Sequence, residues 1–143
     1  MRIDQAPEGG KYRAVAAAAL DGEAGVWGLD DLLCVKLDAS GDLILATAGA
    51  CDGVIWVPEG RKQIDGVTQN EVIGGRKYTV FTFAELVDTD TATGPAAWVA
   101  GDIFFGTAAG DVLESASATA GDIYIGAVVG GRFILDINRR PVA

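Results

Sequence analysis

Chemistry in this chain would have to come from carboxylates, serines, lysines and two cysteines, because the sequence contains no histidine. Without imidazole neither a Ser-His-Asp nor a Cys-His arrangement can be assembled. The commonest general base, metal ligand and neutral-pH switch is also missing. A Ser-Lys pair would draw on Ser40, Ser115 or Ser117. However, Ser115-Ala116-Ser117-Ala118-Thr119 is small and polar and runs into a Gly-Asp pair, the composition of a loop. Carboxylates occur at Asp30-Asp31, Asp88/Asp90, Asp102 and Asp122. A glycosidase needs two of them across one bond, yet most sit in turn contexts where Asp already has a conformational task. The run Asp88–Gly94 suggests calcium but fails on spacing. Its fifth position is Ala92, its glycine falls seventh, and its twelfth position is Val99. No glycine-rich phosphate cradle of either common spacing occurs. The expectation is a chain that is not an enzyme and carries no metal and no cofactor.

The remaining regularities are structural. Ala100-Gly101-Asp102-Ile103-Phe104-Phe105-Gly106 returns as Ala120-Gly121-Asp122-Ile123-Tyr124-Ile125-Gly126, and Ser40-Gly41-Asp42-Leu43-Ile44-Leu45 is a weaker copy. Each pairs a Gly-Asp turn signal with an apolar run too short for a helix, which reads as a strand. Ile103/Ile123 and Phe105/Ile125 are expected to face inward. Leu32–Leu37 and Leu43–Ala46 flank Asp38–Asp42 as a hairpin. Gly53–Val57 is a strand stopped by Pro58, and Glu59–Gln69 is polar with turn signals. Gly74-Gly75 and Gly130-Gly131 are expected at hairpin tips. In the last strand Phe133, Leu135 and Ile137 alternate with Arg132, Ile134 and Asp136. Thr82–Val87 fits a helical turn or two, or a continuing strand, and Asp88–Pro95 reads as an exposed loop. Seven to nine short strands follow, a mainly β fold of the small-barrel or sandwich type.

Length and charge limit the partners. With 143 residues, half of them apolar, the chain suits a single globular domain. Its net charge of −9 opposes nucleic-acid binding, which needs cations to displace phosphate counterions. The apolar stretch Ala14–Leu20 is too short to span a bilayer and lacks a basic leader, so no membrane is expected and synthesis belongs in the cytosol. Cys34 and Cys51, in apolar contexts, read as buried free thiols.

Residues 1–24 differ from the rest, with Pro7, Gly9, Gly10, an alanine run and the cations Arg2, Lys11 and Arg13. They read either as a frayed end or as an extended N-terminal arm that orders on a neighbouring subunit, leaving residues 25–143 as one β-rich domain. Trp56 reads as core. Trp27 and Trp98 are the candidates for contact with another chain.

Glycine-punctuated strands, the Ala-Gly-Asp repeats and the closing Gly126-Ala127-Val128-Val129-Gly130-Gly131-Arg132-Phe133-Ile134-Leu135-Asp136-Ile137 give the chain its resemblance to the head decoration (cement) proteins of tailed bacteriophages. The resemblance spans roughly Gly25–Ile137 and is strongest after Ala100. It implies a β-tulip-like domain that forms a homotrimer on the outer capsid surface of the virion, made in the host cytoplasm. That domain would clamp neighbouring copies of the major capsid protein. The resemblance makes Arg2, Lys11, Tyr12 and Arg13 the capsid-contact arm, and Trp27 and Trp98 subunit-interface residues. Two other classes fit the same residues: another virion β module (tail, fibre or head completion), and a carbohydrate- or peptide-binding β domain.

Overall fold

The computed structural model describes residues 2–5, 8–25, 32–47, 50–60, 62–64, 67–69, 71–87, 101–105, 112–114, 123–129 and 132–137. Among them are thirteen strands: β1 (Arg2–Gln5), β2 (Lys11–Val15), β3 (Leu32–Leu37), β4 (Leu43–Leu45), β5 (Gly53–Trp56), β6 (Lys62–Ile64), β7 (Val67–Gln69), β8 (Lys77–Phe81), β9 (Phe83–Val87), β10 (Gly101–Phe105), β11 (Val112–Glu114), β12 (Ile123–Val129) and β13 (Arg132–Asp136). Short 3-10 turns lie at Glu8–Gly10, Ala18–Leu20 and Val57–Gly60, and no described segment is an α-helix. The mainly β expectation holds. The strand count exceeds it, because polar pairs such as β6–β7 carry little apolar signal.

Antiparallel pairing builds a six-stranded sheet in the order β1-β9-β13-β12-β10-β11, a five-stranded sheet in the order β2-β8-β5-β3-β4, and the β6–β7 hairpin. The five-stranded sheet curls until Ala16, just past β2, pairs in parallel with Leu43 of β4. The Ala17 N–H donates to the Leu43 carbonyl at 2.9 Å across the same seam. Over the first residues of β3 and β5 both faces of this sheet are buried. Leu33, Val35, Leu43, Ile55, Tyr78 and Val80 fill the inside of the curl with Leu20, Val57 and Val72. Leu32, Cys34 and Val54 alternate with them and face outward, where Ala84, Ile123, Ile125, Val128, Phe133 and Leu135 of the six-stranded sheet cover them. The result is a small β-barrel-like core with a second sheet laid over part of its wall.

Local chemistry explains the joints. At the β3–β4 hairpin the Asp38 carboxylate accepts the N–H groups of Ser40 (2.8 Å) and Asp42 (3.0 Å), while Gly41 takes φ +83°. The carboxylate that fixes the turn is thus Asp38, ahead of the Gly-Asp pair. In the copy at 100–106, Gly101 and Asp102 lie within β10, paired with Val128 and Ala127. The two heptad copies supply neighbouring strands β10 and β12, with a bulge where Ile103 opposes Gly126 and Phe104 opposes Tyr124. Ile123 and Ile125 face the core as expected. The side chains of Ile103 and Phe105 lie outside the described residues. Val129 pairs with Arg132, leaving two residues to join β12 and β13.

Several expectations are corrected. Residues 1–24 are no separate arm. β1 pairs with β9 in one sheet and β2 pairs along its whole length with β8 in the other. Where the chain passes between sheets, the Thr82 N–H donates to the Gly10 carbonyl at 2.8 Å. The reason is that Tyr12, Ala14, Ala16 and Leu20 complete the barrel interior. Of the two readings of Thr82–Val87 the continuing strand holds, as β9, and the helical turn does not. Gly75 does adopt φ +83° in a turn, but Glu71–Ile73 does not pair back onto β8. Instead Val72 exchanges hydrogen bonds with Gly22 and Glu23 at 2.8 Å, Glu71 bridges Ala24, and Tyr78 Oη accepts the Ile73 N–H at 2.9 Å. That segment closes one end of the barrel. Cys34 and Cys51 are buried and not joined in a disulfide, as expected. The loop at 88–95 lies outside the described residues.

Two outcomes follow. A chain lacking residues 1–20 loses one strand from each sheet and should show no cooperative thermal transition by circular dichroism. A native-like melt would contradict the pairing. Gly60 leaves no room for a Cβ, which would lie 1.9 Å from Tyr78 Oη. Gly60→Ala should therefore destabilise the fold by about 1–3 kcal/mol in chemical denaturation. An unchanged midpoint would contradict this packing.

Candidate binding surface

The strand geometry of β2 sends Lys11 and Arg13 to one face and Tyr12 and Ala14 to the other. Tyr12 and Ala14 pack against the barrel interior. The register sets Lys11 opposite Phe81, Arg13 opposite Thr79 and Val15 opposite Lys77, so Lys11, Arg13, Lys77, Thr79 and Phe81 share the outer face of the barrel. Val54 of β5 faces Phe81, and Trp56, two residues on, is on the same side. The part of this face around Leu32, Cys34 and Val54 lies beneath the six-stranded sheet. The remainder is a margin that this sheet leaves uncovered. Trp56 is 37% exposed there, and a cleft of about 540 Å³ is lined by Lys11, Tyr12, Arg13, Thr79 and Phe81.

One carboxylate organises this margin. After β5 ends, Pro58 turns the chain into the Val57–Gly60 turn and brings Glu59 against β8. Glu59 Oε2 accepts the Thr79 N–H at 2.9 Å, beyond the end of the β5–β8 pairing. Its Oε1 accepts Thr79 Oγ1 and Arg13 Nη1, both at 2.9 Å. The Arg13 guanidinium also donates to Thr79 Oγ1 at 3.0 Å and to the Lys77 carbonyl at 3.3 Å. Arg13 is therefore held in one orientation while its side chain remains 57% exposed; Glu59 is 25% exposed. In this setting the ion pair is worth roughly 0.2–1 kcal/mol, and the bond to the backbone N–H carries more structural weight.

Of the residues singled out from sequence, Lys11, Tyr12 and Arg13 come together here, on a folded strand rather than on an arm. Arg2 is on β1 in the other sheet, paired with Val87. Trp27 and Trp98 lie outside the described residues. Trp56 is corrected from core to surface, because Val54 and Trp56 alternate with Ile55 and only the start of that outer face is covered. Glu59, Thr79 and Phe81 carried no sequence signal. They reach the cleft through strand register alone. Among the described residues no three His, Cys, Asp or Glu side chains gather to hold a metal, and no helix is long and apolar enough to cross a membrane. What the arrangement offers is recognition: a fixed guanidinium, two ammonium groups on the same face, and an aromatic surface beside them.

No family model matches the sequence, and no curated protein matches it.

Because Glu59 satisfies a backbone donor as well as Arg13, the two partners should not be equivalent. Glu59→Ala should cost about 1–2 kcal/mol of stability, and Arg13→Ala less than about 1 kcal/mol, by urea denaturation. Equal losses would contradict this division.

Proposed function

We propose that this chain is a structural virion protein of a tailed bacteriophage. It binds the outer surface of the head as a homotrimer and stabilises the lattice of the major capsid protein. The observation that carries this reading is the β10–β12–β13 unit. The described parts of the two repeated segments and of the closing segment, on which the resemblance to decoration proteins rests, are β10, β12 and β13, three consecutive strands of one sheet. A β domain buried on several faces, with a polar and aromatic margin left over, suits a clamp that works by contact rather than by turnover. The residues first read as an arm take part from within the fold. Lys11 and Arg13 stand on the outer face of a folded strand whose Tyr12 packs against the barrel interior, so docking does not have to order a loose segment. Trp27 and Trp98 remain the proposed contacts between subunits. The chain acts without cofactor, nucleic acid or membrane, and is made in the host cytoplasm before it joins the particle.

Mixing the purified chain with undecorated heads and sedimenting the particles tests this. Saturable co-sedimentation, three copies at each site and a raised temperature of shell rupture are expected. Absence of the chain from the particle fraction, or a lone copy per site, would contradict the proposal.

A further inference from the structure

We infer that the row Trp56, Thr79, Glu59 and Arg13, on the uncovered outer margin of the barrel, binds a neutral carbohydrate. The inference rests on the fold and not on the function proposed above. Register builds the row. Val54 pairs with Phe81 and Ile55 with Val80, so the next positions in line are Trp56 and Thr79, and Thr79 pairs with Arg13 of β2. Three adjacent strands thus carry an indole, a hydroxyl and a guanidinium across two strand spacings, roughly 10 Å. That span matches two linked pyranose rings. Glu59 lies within it, because its Oε2 takes the Thr79 N–H where the β5–β8 pairing has stopped.

The chemistry of the row selects the ligand. A hexose ring has a face of C–H groups and a rim of hydroxyls, each of which both donates and accepts. Trp56, 37% exposed, offers a flat apolar surface to the ring face. Arg13 donates through Nη1 to Glu59 and Thr79 and through Nη2 to the Lys77 carbonyl. Among the described residues that leaves its Nε–H and one Nη2–H as donors. Glu59 Oε2 accepts one bond among the same residues and has room for a second. Donors and acceptor are already fixed in place, so little side-chain freedom is lost on binding. Because the guanidinium and the carboxylate are paired with each other, neither sign of charge is selected between them. An anion there meets Glu59 and a cation meets Arg13, whereas a hydroxyl satisfies both. The adjoining cleft of about 540 Å³, lined in part by Arg13, Thr79 and Phe81, is of a size that holds small ligands. Oligoproline would also stack on Trp56, but it brings no N–H or O–H for Glu59 to accept.

The test uses the full chain, labelled with ¹⁵N and titrated with cellotriose, maltotriose and lactose, with glycerol and oligoproline as controls. Saturable shifts of the Trp56 indole and of the Arg13 and Thr79 amides are expected with at least one of the sugars. A neutral ligand makes them insensitive to salt. Arg13→Ala removes an exposed ion pair and stays folded; it should weaken sugar binding by about tenfold. Trp56→Ala should abolish binding, and Trp56→Tyr, which keeps an aromatic face, should restore part of it. No response to any of the three sugars, an equal response to glycerol, or a response to oligoproline alone would overturn the inference. So would sugar binding that Arg13→Ala and Trp56→Ala both leave unchanged. Undecorated heads separate this inference from the proposed role, in which the same margin meets the shell and heads should displace the sugar. If the chain binds sugar and ignores heads, the capsid reading falls and this inference stands. If it binds heads and none of the sugars, this inference falls and the capsid reading stands.

Discussion

At β3 the five-stranded sheet cannot leave either face in water. Leu32, Leu33, Cys34 and Val35 are consecutive and all buried, so β3 directs apolar side chains both into the curl and outward from it. Each face then needs its own cover. The inner face is covered by curling the sheet until Ala16 meets Leu43 and by plugging the ends with Leu20, Val57 and Val72. The outer face is covered by the six-stranded sheet, whose Phe133 and Leu135 alternate toward it. The two sheets are tied where β8 runs into β9 through Thr82. Its N–H bonds the Gly10 carbonyl and its own carbonyl accepts the Ile137 N–H, each at 2.8 Å. A chain that must bury a sheet on both sides uses its first strands as structure, which is why β1 and β2 belong to the core assembly.

The same constraint creates the uncovered margin. The six-stranded sheet covers Leu32, Cys34 and Val54 but ends before Arg13 and Trp56, and Glu59 bonds β8 where β5 stops reaching it. The surface is the part of a doubly buried sheet that its cover does not reach. Lys and Arg on a strand at the end of a sheet also discourage unintended strand pairing. The charge of Lys11 and Arg13 therefore has a role in the fold itself.

Most of the fold was legible where one face meets water. Phe133 and Leu135 are buried between half-buried or exposed neighbours, and the strict alternation announces the strand. The β3–β4 hairpin was legible from Asp38–Asp42, although the anchoring carboxylate was not. The N-terminal strands were hidden because alanines fill the barrel interior with little apolar area, and because Lys11 and Arg13 dilute the pattern of β2. Trp56 was misread because Val54-Ile55-Trp56-Val57 is apolar throughout, and a run of that kind does not reveal which residue outlives its cover. At the candidate site the cations were visible as charge. Glu59, Thr79, Phe81 and Trp56 were not, since register assembles them from segments far apart in sequence.

The chain thus pairs a self-contained β framework with a charged and aromatic margin suited to contact, and the proposed role joins the two on a phage shell. The most direct measurement is a cryo-electron microscopy reconstruction of heads incubated with the chain. The account predicts threefold density on the outer surface, shaped as a barrel with a second sheet, with β2 and β8 turned toward the shell. Bare shells, density at the tail or inside the head, or a margin of β2 and β8 facing solvent would contradict it.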